Sequence, residues 1–234
     1  MFDWLRRLDP ETSGIAKMMR QFSQMLTDGR HMFDTAANAL FGGTDPEIIR
    51  SDLFATDRRI NDAEIQIRRG IVVHGTVHGA ADLPPCLLLM SLVKDAERIG
   101  DYAKNLFDLA TQVDRFARDE TFEDLVDLKD RVSRLLGETR QAFDDQDADE
   151  AREGLILADR LQDQCDSKVE ALVRGRLESP HPAATVLAYR YQKRILAHAM
   201  NILTSVVVPL DRLDFFDERP RPRIPRGKEG PAKS

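Results

Sequence analysis

The stretch Lys-Asp-Ala-Glu-Arg-Ile-Gly-Asp-Tyr-Ala-Lys-Asn-Leu at residues 94–106 returns in altered form at residues 192–202, which read Gln-Lys-Arg-Ile-Leu-Ala-His-Ala-Met-Asn-Ile. Both copies keep the frame Arg-Ile-x-x-x-Ala-x-Asn followed by Leu or Ile. The acidic positions differ, because Glu97 and Asp101 of the first copy correspond to Lys193 and Ala197 of the second. This predicts a tandem helical repeat in which the scaffold is kept and one copy has lost its acidic residues.

Apolar residues on both sides of this motif recur at steps of three and four, which indicates amphipathic helices. Glycine, proline and short polar runs separate six such segments, at about residues 15–40, 46–74, 83–116, 122–143, 150–177 and 183–213. We therefore predict an all-α fold of six long helices, arranged as two tandem three-helix bundles. Repeat 1 is assigned to residues 1–118 and repeat 2, with the degraded acidic motif, to residues 119–216.

The C-terminal segment, residues 217–234, differs from the rest of the chain. Arginine and proline alternate from Arg219 to Arg226, a pattern that cannot form a helix and offers little apolar surface to pack. We predict a disordered basic tail that is solvated. The alternative function is an anchor for membrane headgroups, an acidic protein or RNA.

Composition narrows the class of protein. The net charge of −6 argues against nucleic-acid binding by the protein as a whole, so no nucleic-acid partner is expected. The N-terminus lacks the apolar core of a secretory signal, and the longest apolar run, residues 202–210, is too short to span a membrane. We expect a soluble, cytoplasmic protein. Cys86 and Cys165 lie in no metal-ligand spacing and are predicted to be buried free thiols.

The carboxylates of the first repeat are candidates for chemistry. Glu97 and Asp101 are four residues apart and therefore project from one helix face, whereas Asp95 lies on another face and is predicted to be solvated. The preceding helix carries a matching stripe of Asp57, Asn61 and Glu64. Repeat 2 has acids at identical spacing: Asp159, Asp163 and Asp166. Oxygen ligands on facing helices suit Mg²⁺, Ca²⁺, Mn²⁺ or Fe, and neutralisation by the many nearby arginines is the alternative.

The chain resembles the PhoU family, which comprises bacterial and archaeal regulators of phosphate uptake and signalling. The resemblance rests on residues 57–64, on Asp82-Leu83 and on residues 92–106, and the six-helix plan covers about residues 10–214. It implies two three-helix bundles side by side, homodimerisation, and metal ions bound by acidic motifs. It also implies an adaptor without enzymatic activity, which couples a phosphate transporter to a membrane histidine kinase and damps the starvation response.

Transferred by position, the resemblance predicts a metal site on repeat 1. Its ligands are Asp57, Asn61, Glu64, Glu97 and Asp101, and the candidate ions are Fe, Mg, Mn and Zn. Asn61 stands where the family usually has an acid. The acids Asp159, Asp163 and Asp166 are the possible ligands on repeat 2. Since Lys193 and Ala197 replace acids there, we expect weak metal binding or a salt bridge in place of the ion.

Two other functions remain open on the sequence. A di-iron helical-bundle enzyme would require Glu-x-x-His pairs on its helices, and the predicted helices contain none. No phosphate-binding loop and no Gly-x-Ser-x-Gly element is present either. A metal-free structural or interaction bundle, with every acid salt-bridged, is the second alternative.

Several further residues have a plain structural interpretation. His74 and His78 are predicted to lie in a turn with Gly75 and Gly79, where a spacing of four residues has no special meaning. His198 is predicted to be a packed or surface residue of the last helix. The methionines at positions 18, 19, 25 and 32 are predicted to belong to the core.

Overall fold

A computed structural model describes residues 14–113, 116 and 119–213. Six long α-helices account for nearly all of them: α1 (Gly14–Gly42), α2 (Pro46–His78), α3 (Leu83–Gln112), α4 (Glu120–Asp145), α5 (Ala148–Val173) and α6 (Pro182–Val207). Short 3₁₀ helices follow α2 and α6, at Gly79–Asp82 and Leu210–Arg212. These described residues include no β-strand, so the predicted all-α class and the number of long helices are confirmed.

Aspartate side chains begin three of the helices. Asp45 accepts a hydrogen bond from the backbone N–H of Glu47 at 2.9 Å, and Pro46 occupies the first helical position. Asp119 accepts from the N–H of Phe122 at 2.9 Å, and the Asp147 carboxylate accepts two backbone N–H groups at the start of α5. These bonds satisfy amide donors that the first turn of a helix leaves without a partner.

Some predicted helix ends were wrong. α2 continues through Gly75 to His78, because a single glycine lowers helix stability without breaking the helix. Its end is at Gly79, which has φ of 70°. α3 ends at Gln112 instead of near residue 116, and α5 ends at Val173 ahead of Gly175. α6 ends at Val207, since Pro209 holds the residue before it in an extended conformation.

The helices pack as two groups of three. α1, α2 and α3 contact one another, and so do α4, α5 and α6. The groups are joined because α3 packs on α6 and α1 packs on α4, so one apolar core runs through both. The rings of Phe22 and Phe143 meet at the α1–α4 contact, with centroids 4.8 Å apart. The boundary between the repeats, assigned to residues 118 and 119, stays a prediction.

Buried side chains agree with most of the predicted core. Met18, Met25 and Met32 are buried and Met19 is partly buried against them, as predicted. Cys86 and Cys165 are both buried free thiols, also as predicted. None of the described helices is long and apolar enough to cross a membrane. The predicted disordered tail, residues 217–234, lies outside the described residues.

Candidate functional site

The five predicted ligands of repeat 1 lie where α2 and α3 face each other, and we call them the acidic stripe. It consists of Asp57, Asn61 and Glu64 on α2 and of Glu97 and Asp101 on α3. Glu64 is buried and the other four are partly buried. The four carboxylates form two pairs across the helix–helix contact, and each pair shares one lysine of α3.

Lys104 bridges the first pair. Its ammonium Nζ lies 2.8 Å from Asp57 Oδ1 on α2 and 3.3 Å from Asp101 Oδ1 on α3. Arg98 adds a second contact to Asp101 at 3.1 Å. Burial disfavours the charged form of Lys104, but the hydrogen bond to Asp57 and the charges of both aspartates outweigh that effect. The pKa of Lys104 is therefore raised, and the lysine holds the two helices together as a cation.

Lys94 stands between the second pair. Its Nζ is 2.7 Å from Glu97 Oε2 and 4.0 Å from Glu64 Oε1, while Arg68 lies 2.9 Å from the same Glu64 oxygen. These two oxygens are buried, yet neither accepts a hydrogen bond from the described residues. The distances establish ion pairs that compensate the negative charges. The N–H groups do not point at the oxygen lone pairs, so these lone pairs stay without a hydrogen bond. Such an oxygen is under-coordinated.

The donor chemistry of the stripe fits a hard cation. Carboxylate and amide oxygens are the ligands preferred by Mg²⁺, Mn²⁺ and Ca²⁺, and two of them are buried without a hydrogen bond. Over the described residues the ligand atoms of the stripe do not form a cluster that could share one ion, and a lysine ammonium lies within each pair. A cation held by all four carboxylates requires both ammonium groups to move away.

The corresponding acids of repeat 2 are arranged differently. Asp159 and Asp166 are partly buried, whereas Asp163 is exposed. Lys193 of α6 forms an ion pair with Asp166 of α5, and Arg190 lies 3.9 Å from the same carboxylate. Lys193, which stands at the position of Glu97 in the first repeat, therefore pairs with Asp166 and links α6 to α5.

The expectation that Asp95 is solvated was wrong. Its carboxylate is buried between the two bundles and accepts hydrogen bonds from His198 Nδ1 at 2.8 Å and Asn201 Nδ2 at 2.9 Å. His198 and Asn201 belong to the second copy of the repeated motif, three residues apart on α6. Their shared face was visible in the sequence, but the packing of α6 on α3 was not.

The assignment of His74 and His78 to a turn was also wrong. Both lie on the last turns of α2, and their rings stack with centroids 4.2 Å apart. Asp82 joins them, since its Oδ2 is 2.7 Å from His74 Nε2. Over the described residues, this is the only group of three His, Cys, Asp or Glu side chains whose ligand atoms lie close enough to share a metal ion.

Comparison with protein families confirms the resemblance found in the sequence. The family model of the PhoU domain matches residues 22–110, a segment that contains the whole acidic stripe. No curated protein matches the chain.

The fold is similar to that of two crystal structures. One is PhoU from Pseudomonas aeruginosa, with a TM-score of 0.73, 23% sequence identity and coverage of 82% of this chain and 95% of that one. The other is the phosphate transport system regulatory protein PhoU from Streptococcus pneumoniae, with a TM-score of 0.68, 18% identity and coverage of 87% and 96%. At these identities the likeness establishes the six-helix fold.

Proposed function

We propose that this chain is a PhoU-family regulatory adaptor in phosphate homeostasis, because the family model of the PhoU domain matches residues 22–110. It couples a phosphate transporter to a phosphate-sensing histidine kinase, damps uptake and starvation signalling, and acts in the cytoplasm as a homodimer without catalysis. The observation that carries the proposal is the family match, since it spans the acidic stripe and the helices that present it.

The proposal includes a cation site on the acidic stripe. Asp57, Glu64, Glu97 and Asp101 supply carboxylates from both helices, and Asn61 supplies a neutral oxygen. A bound cation would neutralise these carboxylates and cross-link α2 to α3. Support comes from the buried, under-coordinated oxygens of Glu64 and Glu97.

Lysines 94 and 104 give this site a physical basis for switching. In the described arrangement each ammonium lies near two carboxylates that belong to different helices. Release of both lysines would free their side chains for solvent or for acids of a partner. Cation binding and lysine release are thus coupled, and a partner that pairs with the released lysines would favour the cation-bound state.

Metal content tests the cation site. Untagged protein is analysed by inductively coupled plasma mass spectrometry beside Glu97→Ala/Asp101→Ala, and the matched control removes the exposed acids in Asp62→Ala/Asp108→Ala. We expect about one or more equivalents of Fe, Mg, Mn or Zn in the wild type and in the control, and about one equivalent less in the stripe variant. Equal metal content in all three proteins would refute the site.

A metal-free adaptor is the second candidate, and the lysine bridges favour it. Since Lys94 and Lys104, together with Arg68 and Arg98, place four positive charges beside the four carboxylates, the stripe has its charges compensated without an ion. A folded wild type that carries no metal and is not stabilised by added Mn²⁺ or Mg²⁺ would establish this candidate. The adaptor role would then rest on protein contact alone.

The end of the α2–α3 hairpin offers an apolar surface for a partner. Val73 and Val77 of α2 are 63% and 71% exposed, and Leu83 and Leu87 near the start of α3 are about half exposed. Several exposed apolar side chains at one end of a hairpin indicate a contact surface more strongly than a single exposed apolar residue does. We expect Val73→Glu/Val77→Glu to abolish co-purification with the transporter ATPase. The control is Ile156→Glu, an equally apolar exposed position on α5, which should leave co-purification unchanged.

A further inference from the structure

The C-terminal end of α2 carries two histidines on one helix face. His74 and His78 are four residues apart, so their side chains project in the same direction. Their rings are nearly parallel, with an interplanar angle of 21° and centroids 4.2 Å apart. This arrangement holds two imidazole groups side by side, each with a ring nitrogen able to act as a ligand.

The 3₁₀ helix that follows brings a carboxylate to the same place. Gly79, with φ of 70°, ends α2, and the 3₁₀ helix Gly79–Asp82 turns the chain so that Asp82 reaches back to His74. Asp82 Oδ2 lies 2.7 Å from His74 Nε2. One ligand atom from each of the three residues lies within 4.8 Å of the other two.

We propose that His74, His78 and Asp82 form a binding site for a divalent transition-metal ion, with Zn²⁺ as the ion it fits best. Two imidazole nitrogens and one carboxylate oxygen are a donor set that zinc accepts, with a fourth position left for water or another ligand. Ligand atoms about 2.0–2.1 Å from a tetrahedral zinc lie roughly 3.3 Å apart. The three ligand atoms, now within 4.8 Å of one another, must therefore move closer together, by rotation of the side chains, to bind one ion.

This site is separate from the acidic stripe. His74 lies ten positions after Glu64 on α2, which is about 15 Å along the helix axis. The ligand chemistry differs as well, because imidazoles prefer Zn²⁺, Cu²⁺ and Ni²⁺, whereas a set of carboxylates suits Mg²⁺ or Mn²⁺. The two proposals can therefore fail independently.

One ligand of the site is held by packing, and the other two are accessible to solvent. The His74 side chain is 10% exposed, and Gly14 at the start of α1 packs so close that a Cβ there would lie 2.9 Å from His74 Nδ1. Asp82 is 31% exposed and His78 is exposed. One ligand is thus fixed by packing against α1, while the other two face solvent, through which an ion can enter.

The alternative to a metal site is a simple hydrogen bond between His74 and Asp82. This alternative accounts for their contact but gives His78 no function in the cluster. The same chain supplies a matched control for this reading. His31 Nε2 lies 2.6 Å from Asp52 Oδ2, an equally short His–Asp contact beside which the part of the chain that the structure describes places no third ligand group. Metal binding should depend on the cluster with three ligands and not on the pair.

The experiment measures binding of Zn²⁺ by isothermal titration calorimetry and of Co²⁺ by its visible absorption, using untagged full-length protein. His78→Ala and Asp82→Asn are the test variants, because both side chains reach the surface and their loss leaves the core intact. His31→Ala is the control, and circular dichroism checks the fold of every variant. Glu97→Ala/Asp101→Ala is titrated in parallel to isolate the acidic stripe.

We expect one Zn²⁺ per chain in the wild type, the His31 variant and the stripe variant. Affinity should fall at least tenfold in His78→Ala and in Asp82→Asn, with loss of the intense bands of tetrahedral Co²⁺. The proposal is overturned if the wild type does not bind, or if His78→Ala binds as tightly as His31→Ala. If zinc is lost in the stripe variant alone, the ion belongs to the carboxylates and the histidine site is refuted.

Discussion

Asp95 of α3 accepts a hydrogen bond from His198 Nδ1 of α6 at 2.8 Å, and this contact joins the two three-helix bundles. Asn201 donates to the same carboxylate oxygen, and the Tyr102 ring stacks on His198 with centroids 5.7 Å apart. Asp95 and Tyr102 come from the first copy of the repeated motif, while His198 and Asn201 come from the second. The two copies therefore pack against each other directly.

Asp95→Ala should lower the free energy of unfolding by about 1–3 kcal/mol, because it leaves the partly buried donors of His198 and Asn201 without their acceptor. Urea denaturation followed by circular dichroism measures the change. Asp52→Ala is the control, since Asp52 contacts His31 at the surface with 56% of its side chain exposed. That variant should change stability by less than about 0.5 kcal/mol. Equal changes in the free energy of unfolding for the two substitutions would show that the Asp95 network adds no more stability than a surface contact.

Lys104 should contribute stability that depends on alkaline pH. Its pKa is raised in the folded state, so the contribution is fully present below the unfolded pKa of about 10.4 and is lost as pH rises through the folded value. We expect wild type to be more stable than Lys104→Met at pH 8 and the difference to shrink above about pH 10.4. Lys17→Met, at an exposed lysine, is the control and should show a small difference at every pH. A constant difference between wild type and Lys104→Met would contradict the prediction.

Lys193→Glu restores an acid at the position that corresponds to Glu97. The substitution replaces the ion pair with Asp166 by two like charges, so metal-free protein should lose about 1 kcal/mol of stability. Mn²⁺ should then stabilise Lys193→Glu more than wild type, by about 1.4 kcal/mol at tenfold excess over its dissociation constant. Thermal denaturation with and without Mn²⁺ measures both effects. Lys193→Met is the control: if Mn²⁺ stabilises it equally, the introduced carboxylate is not a ligand.

The two cysteines should be inert in the native protein. Burial, with a smaller effect of the Asp166 charge, raises the pKa of Cys165 to about 12, and burial and the Asp82 charge raise the pKa of Cys86. Since the thiolate is the reactive species, a disulfide reagent at pH 8 should modify neither residue within minutes. Two thiols per chain should react once the protein is unfolded in guanidinium chloride. Rapid modification of a native thiol would mean that its helix opens locally.

The sequence alone was enough to predict the helices, the tandem plan and the stripe positions. These features depend on local spacing: apolar residues at steps of three and four, breaks at Gly42–Gly43 and Pro180–Pro182, and carboxylates at i, i+4 and i+7 on one face. The PhoU resemblance was also visible in the sequence, because each of the segments that carry it, residues 57–64 and 92–106, is contiguous and lies on one helix.

Contacts between helices were decided by the tertiary structure. Which lysine lies between Asp57 and Asp101, and whether Asp95 meets solvent or His198, depends on how α3 crosses α2 and α6. Likewise, α2 extends beyond Gly75, because one glycine destabilises the helix by less than the packing of the surrounding turns stabilises it. As a result His74, His78 and Asp82 are brought together. Side-chain spacing along one helix is set by its 3.6-residue period, whereas the partner across a helix contact is set by packing of the whole core.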